Sequence, residues 1–280
     1  MREEKKGLSR EDYEEPRCLT AAEDPGRRSV TQAIPQRRVM EKLDEYMRRR
    51  DYAGAEKHLL YWLEEARQGR DRRGELLVLG ELVGHYRKSG KETEALACAG
   101  AALELVEALD MGDRPSGATT FVNVATAYSA FGRDEEALPL FERARAIYEA
   151  APRPDPGLLG GLYNNMALVL ADLGRFAEAR GLYEKALVIM EPQPNGALEL
   201  AITELNLANL AEAEQGLLEA ETEIEARLDR ARALLDRPEL PRNGYYAFVC
   251  EKCAPTFDYY GRFTDAAELR EIARKLYAGN

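Results

Sequence analysis

Histidine is nearly missing from this 280-residue chain, which has only His58 and His85. They lie far apart, and no H-E-x-x-H is present, so a metal centre would have to draw most of its ligands from carboxylates. Cysteine is also sparse. Cys18, Cys98, Cys250 and Cys253 are too few in a chain this long to form a disulfide framework. There is no apolar run near the roughly 20 residues that a membrane span needs. The opening MREEKKGLSREDYEEPR lacks an apolar signal core. Also missing are G-x-S-x-G, Walker A and dinucleotide fingerprints; Gly157, Gly160 and Gly161 resemble a phosphate loop only loosely and read as close helix packing. Nothing pairs a nucleophile with a base, so the chain reads as non-enzymatic, with no cofactor and no metal. Positive charge is in deficit as well. Thirty-nine Lys and Arg face 50 Asp and Glu, a formal net charge of −11. A broad contact with nucleic-acid phosphates or an anionic membrane needs the opposite balance. The expected location is a reducing cytoplasm.

What is present is helix-forming and repetitive. Hydrophobic residues make up 45 % and charged residues 32 %, with much Ala and Leu and few β-branched runs. Gly90, Gly132 and Gly174 stand 42 residues apart. Ala95, Ala137 and Ala179 keep that interval, as do Ala102, Ala144 and Ala186. Phe141 and Tyr183 are 42 apart; Asn123, Asn165 and Asn206 are spaced 42 and then 41. Each unit reads as two helices around a turn. The glycine supplies the left-handed cap of the first helix. Acidic residues in the next first turn, as in GRDEEA, face the positive end of the helix dipole. Ala137, Phe141 and Ala144 then share one helix face. A single hairpin cannot bury that face, and stacked hairpins can.

The pattern of a small residue, a turn Gly, then Ala, a large apolar residue and Ala resembles a tetratricopeptide repeat, most clearly in Leu162–Met190 (LYNNMALVLADLGRFAEARGLYEKALVIM). The usual period is 34 residues. The longer unit here, with its Asn164–Asn165 pair, is similar to the repeats of kinesin light chains. The resemblance implies an all-α, right-handed α-solenoid of about six hairpins over residues 37–280, with 1–36 a polar tail that is either flexible or a cap on the first unit. The hairpins are expected at Arg37–Arg49 with Tyr52–Gln68, then Arg72–Leu109, Ser116–Ala150, Gly157–Met190, Gly196–Leu235 and Gly244–Tyr277. The fifth should carry an extended second helix, and Pro255 should kink the sixth.

In this family the first helices line the concave face. Counting from the turn glycines, the expected peptide groove is Gly80, Gly84 and Arg87; Val122, Thr126 and Ser129; Asn164, Leu168 and Ala171; and Leu205, Asn209 and Glu212. Asn164 and Asn209 are the expected partners of a peptide backbone, while Asn123, Asn165 and Asn206 read as structural. The Lys, Asn and Arg set that clamps chaperone tails in some relatives has no counterpart here. Arg48, Arg49 and Arg50 with Arg70, Arg72 and Arg73 form the notable basic cluster; they read as ordinary solvated charge, the alternative being that they come together to contact an anionic group such as an acidic peptide. Cys250 and Cys253 read as two helix residues at i and i+3. The resulting expectation is a protein–protein scaffold that binds a peptide or helical segment. Two alternatives stay open: a self-assembling module using Tyr245, Tyr246 and Phe248, or a sensor of a peptide or small ligand, though no helix-turn-helix pattern precedes residue 37.

Overall fold

The structure, a computed structural model, describes residues 32–194 and 196–279. Most of the expected tail, including Cys18, lies outside the described residues. Those residues contain twelve α-helices and no strand. In order they are α1 (Gln36–Arg48), α2 (Tyr52–Gln68), α3 (Arg72–Lys88), α4 (Glu92–Ala108), α5 (Pro115–Ala130), α6 (Asp134–Glu149), α7 (Pro156–Asp172), α8 (Phe176–Met190), α9 (Gly196–Gln215), α10 (Leu217–Leu235), α11 (Gly244–Tyr259) and α12 (Phe263–Tyr277). They form antiparallel pairs, the architecture of an all-α helical-hairpin solenoid. The fifth pair has the extended second helix, with 19 residues in α10. Helix α11 continues through Pro255 to Tyr259 as one element.

The chain divides into two compact units, Met1–Gly112 and Asp113–Asn280. The first holds two hairpins, α1–α2 and α3–α4. The second holds four, α5–α6 through α11–α12.

Turn chemistry sets the hairpins. Gly90, Gly132 and Gly174 take φ of 69°, 71° and 71°. At the last of these, the Arg175 N–H reaches back to Leu170 O at 2.7 Å and the Gly174 N–H to Ala171 O at 2.9 Å. That double closure satisfies carbonyls the helix end would otherwise leave bare. In the first unit Arg50, Arg70 and Asp110 hold the same left-handed backbone at φ of 54°, 55° and 52°. Several first helices start on a side-chain cap. Asp71 accepts from Gly74 N–H at 2.9 Å, Asp155 from Gly157 N–H at 2.8 Å, and Asn243 from Tyr245 N–H at 3.0 Å.

The repeated alanines are the points of closest approach. Ala95, Ala102, Ala137, Ala144, Ala179 and Ala186 are all 0 % exposed. Phe141 and Tyr183 fill the space beside them and are also fully buried. Burying one such aromatic ring stabilises the fold by about 1.5–3 kcal/mol. Within the second unit α8 is tied to the next hairpin by charge as well as by apolar packing. Arg180 donates to Glu214 and Glu223, each at 2.8 Å. The buried Glu204 carboxylate accepts from Arg227 at 2.9 Å and Arg230 at 3.2 Å, so its charge is compensated where water is excluded.

In the first unit an extended segment before α1 crosses the α2–α3 turn. Gln32 N–H donates to Gly69 O at 3.0 Å and Ile34 N–H to an Asp71 carboxylate oxygen at 3.0 Å. The Ile34 side chain is buried. A Cβ on Gly69 would sit 2.3 Å from Gln32 O, so only glycine lets the segment approach this closely.

Candidate functional site: the first-helix face of the second unit

Helices α5, α7, α9 and α11 are the first helices of successive hairpins, and each packs beside the next. Their outward stripes recur at helical spacing. On α7 the stripe is Leu158, Gly161, Asn165, Leu168 and Asp172, none of them buried. The matching residues on α11 are Tyr245, Phe248, Lys252, Pro255 and Tyr259, all exposed. Asn123, Asn165 and Asn206 occupy the same central position on α5, α7 and α9; Asn123 is exposed and the other two are half-buried.

This placement exchanges the exposure expected of the adjacent Asn164 and Asn165, while Asn209 is exposed as expected. Asn164 is only 5 % exposed, and its side-chain amide lies 3.0 Å from the hydroxyl of the buried Thr203, which also lies 2.9 Å from Glu199 O and gives its one proton to that carbonyl, leaving the Asn164 NH₂ to face the hydroxyl oxygen. It joins α7 to α9 from inside. Its neighbour Asn165, a helix step of 100° away, is the amide that faces out. Leu205 is 3 % exposed and belongs to the core of the last two hairpins. Of the other expected groove residues in this unit, Leu168 and Asn209 are exposed, and Val122, Thr126, Ser129, Ala171 and Glu212 are half-buried. Asn165 Nδ2 donates to Thr126 Oγ1 at 3.4 Å, and Thr126 donates to Val122 O at 2.7 Å. Gly80, Gly84 and Arg87 lie on α3 of the first unit and are half-buried. Nothing lies within 4 Å of where a Cβ would stand on Gly80 or Gly84, so that surface is open. Burial pulls the Arg87 guanidinium pKa down.

The far end of the face is aromatic and acidic. Tyr245 and Phe248 stack with centroids 6.3 Å apart, and the Tyr245 hydroxyl bonds the Glu199 carboxylate on α9. Glu212 Oε1 accepts from Tyr259 OH at 2.7 Å and Oε2 from Tyr260 OH at 2.8 Å. The same Tyr260 oxygen lies 3.1 Å from the Asn209 side-chain amide. A phenol has one proton, so the shorter bond to Glu212 takes it. Asn209 is then satisfied by presenting its NH₂ to the phenol oxygen. Hydrogen bonding to the Glu212 anion raises the Tyr259 pKa; burial and then the same anion raise that of Tyr260. The pairing of α9 with Tyr259 and Tyr260 spans 47 and 48 residues and follows only from hairpin stacking.

The remaining candidates fall away from this face. Arg48, Arg49 and Arg50 precede α2, while Arg70, Arg72 and Arg73 follow it. All six are exposed. Seventeen residues of helix place the two groups at opposite ends of a rod about 25 Å long, so the alternative of a joint basic cluster does not assemble. Cys250 and Cys253 are 0 % and 1 % exposed within α11. Burial pushes their thiols up to about 11 and about 12, far from the thiolate that redox chemistry or metal binding requires. His58 Nε2 lies 2.9 Å from Val39 O, and since a carbonyl only accepts, the ring nitrogen donates. No group of three or more His, Cys, Asp or Glu among the described residues is arranged to hold a metal ion. No described helix is long and apolar enough to cross a membrane.

Stacked hairpins with glycine turns and buried alanine contacts define a helical-repeat protein. Residues 74–150 and 160–191 match two tetratricopeptide repeat family models. These two stretches carry tetratricopeptide repeats. A structure of nearly identical TPR-like repeats from a Podosopora anserina kinesin light chain is 22 % identical, with 72 % of this chain and 93 % of that chain covered and a TM-score of 0.47. The type IV pilus biogenesis factor PilW is 17 % identical over 84 % of this chain and 90 % of its own, TM-score 0.53. A Rap protein solved in complex with Competence and Sporulation Factor is 16 % identical over 88 % and 79 %, TM-score 0.51. At these identities the likeness is one of fold. No curated protein matches the chain by sequence.

Proposed function

We propose that this protein is a non-enzymatic adaptor, and that the first-helix face of its second unit holds a peptide or helical segment of a partner protein. Tetratricopeptide repeats in general bind protein partners. One observation carries the placement: the outward amides of Asn123, Asn165 and Asn206 stand at equivalent positions on three adjacent helices. Neighbouring packed helices lie about 8–10 Å apart, which is about three residues of extended chain. Each amide both donates and accepts, so it can pair with a peptide backbone without reading its side chains. Leu158 and Leu168, each 41 % exposed, supply apolar contact beside the amides. The acidic balance makes nucleic acid and anionic membrane poor partners. The free thiols of Cys98, Cys250 and Cys253 support a reducing compartment such as the cytoplasm.

Panning a displayed library of random peptides against the full chain tests the reading. Captured peptides should bind the unaltered protein and lose binding to an Asn165→Ala/Asn206→Ala variant whose circular dichroism is unchanged. Undiminished binding to that variant would refute the placement. A second reading, self-association through the terminal hairpin, rests on the exposed Tyr245–Phe248 stack; Tyr246 is buried and takes no part. Light scattering that shows one monomeric mass at every concentration removes it.

A further inference from the structure

We infer that copies of this chain associate head to tail, the α1–α2 turn of one copy docking on the α9–α10 turn of the next. Each of the two surfaces lies within one unit, and neither belongs to the peptide groove.

In the second unit the turns inside the hairpins share a pattern that one of them breaks. Four residues before the first buried alanine of the second helix stands an arginine, and one residue before it a carboxylate. Arg133 donates to Glu136 at 2.6 and 2.7 Å, Arg175 to Glu178 at 2.7 and 2.8 Å, and Arg262 to Asp265 at 2.9 Å. At the α9–α10 turn the buried alanine is Ala220 and the carboxylate is Glu219, but Gly216 stands in the arginine's place. Glu219 Oε2 lies 3.2 Å from where a Cβ would stand on Gly216, so the carboxylate still reaches back over that position. No basic residue follows in α10 before Arg227.

The same turn exposes apolar surface. Leu217 is 51 % exposed and Leu218 82 %. In the other three turns the place of Leu218 is held by Glu135, Ala177 and Thr264, so the repeat itself does not call for a leucine there. An apolar pair beside unanswered carboxylates is complementary to a surface that is apolar and basic.

The α1–α2 turn is such a surface. Arg48, Arg49 and Arg50 are exposed, and Tyr52 beside them is 52 % exposed. Two neighbouring carboxylates are engaged at home: Asp51 accepts from Gly54 N–H at 2.9 Å and Glu45 from Lys42 at 2.9 Å. Arg48 Nε donates to the Asp44 carbonyl at 3.4 Å, not to a carboxylate. An arginine of this turn takes the place beside Glu219 that Arg133, Arg175 and Arg262 hold in the other turns, and the Tyr52 ring covers Leu218. A second copy is the occupant because both halves, opposite in charge and each with exposed apolar surface, are present in one chain. The two faces differ, so the contact is heterologous and copies add in a row without closing. Two turns make an interface below the roughly 1,200 Å² of a tight complex, so the association is weak and salt-sensitive.

Multi-angle light scattering on the full chain tests this. In about 50 mM salt the mean mass should climb above that of one chain as concentration rises, and it should fall back in about 0.5 M salt. Arg48→Glu/Arg49→Glu and Leu218→Ser/Glu219→Gln should each stay monomeric with unchanged circular dichroism, since all these side chains are exposed. Mixed one to one, the two variants should form a particle of twice the monomer mass and nothing larger, because each keeps the half that the other has lost. Unaltered protein that is monomeric at every concentration overturns the inference, and so does a mixture that stays monomeric. The salt arm needs no variant: a mass that holds or grows as salt is raised overturns it as well. Association that both variants retain also overturns it and places self-association on another surface. None of these outcomes bears on peptide binding in the groove.

Discussion

Alanine at Gly174 and alanine at Gly181 should move stability in opposite directions. Both glycines have empty space where a Cβ would go, with no atom within 4 Å, so steric contact is not a variable. They differ in backbone. Gly174 ends α7 at φ of 71°, whereas Gly181 lies inside α8. Left-handed backbone costs a residue with a Cβ about 1–2 kcal/mol. In a helix interior alanine is better than glycine by about 0.8–1 kcal/mol. Gly174→Ala should therefore lower the unfolding free energy and Gly181→Ala raise it, with the two about 2 kcal/mol apart. Gly174→Asn should recover part of the loss, because asparagine tolerates this conformation. Urea unfolding followed by far-UV circular dichroism gives the midpoints, and slopes that match across variants would show that the cooperative unit is unchanged. If both alanine variants shift the same way by similar amounts, the backbone angle is not what terminates the first helix, and the account of the hairpin turn fails.

Asn164→Ala should cost roughly 1–3 kcal/mol by removing a buried amide, yet leave peptide affinity within twofold or so; an affinity loss larger than the stability loss explains would return Asn164 to the groove. Cys250 and Cys253 should resist Ellman's reagent in the native protein and react only in denaturant, given full burial and raised thiol pKa values; native-state labelling of either refutes the packing of α11. Burial depresses the folded pKa of His58 below 6.5, and that of His85 as well. The unfolded chain then takes up protons first. The contribution of both histidines is intact above the unfolded value of about 6.5 and is lost as the pH falls through it toward the folded values. Urea midpoints should drop between about pH 7 and about pH 5, and His58→Gln/His85→Gln should flatten that drop.

Helix boundaries were legible in the sequence to within a residue or two in most hairpins. The reason is physical. A left-handed turn and a helix–helix contact with no room for a side chain each tolerate few residue types, so Gly174 and Ala144 mark their places. The outward register was not legible to the same degree. Asn164 and Asn165 are adjacent in the chain and chemically identical, and a rotation of one residue decides which is buried. What separates them is Thr203, 39 residues from Asn164, whose hydroxyl meets only one of the two. Tyr259 and Tyr260 carried no periodic signal, because their partner Glu212 lies in the preceding hairpin.

The strap formed by Gln32 and Ile34 carries the packed structure of the first unit past the start of the repeat pattern. A trimmed version beginning at Arg37, where the periodic pattern sets in, would strip the Gly69 carbonyl and one Asp71 oxygen of their backbone donors and uncover the apolar spot beneath Ile34. The edge of the repeat pattern is thus not the edge of the cooperative structure, and a fragment cut there would open at its first turn.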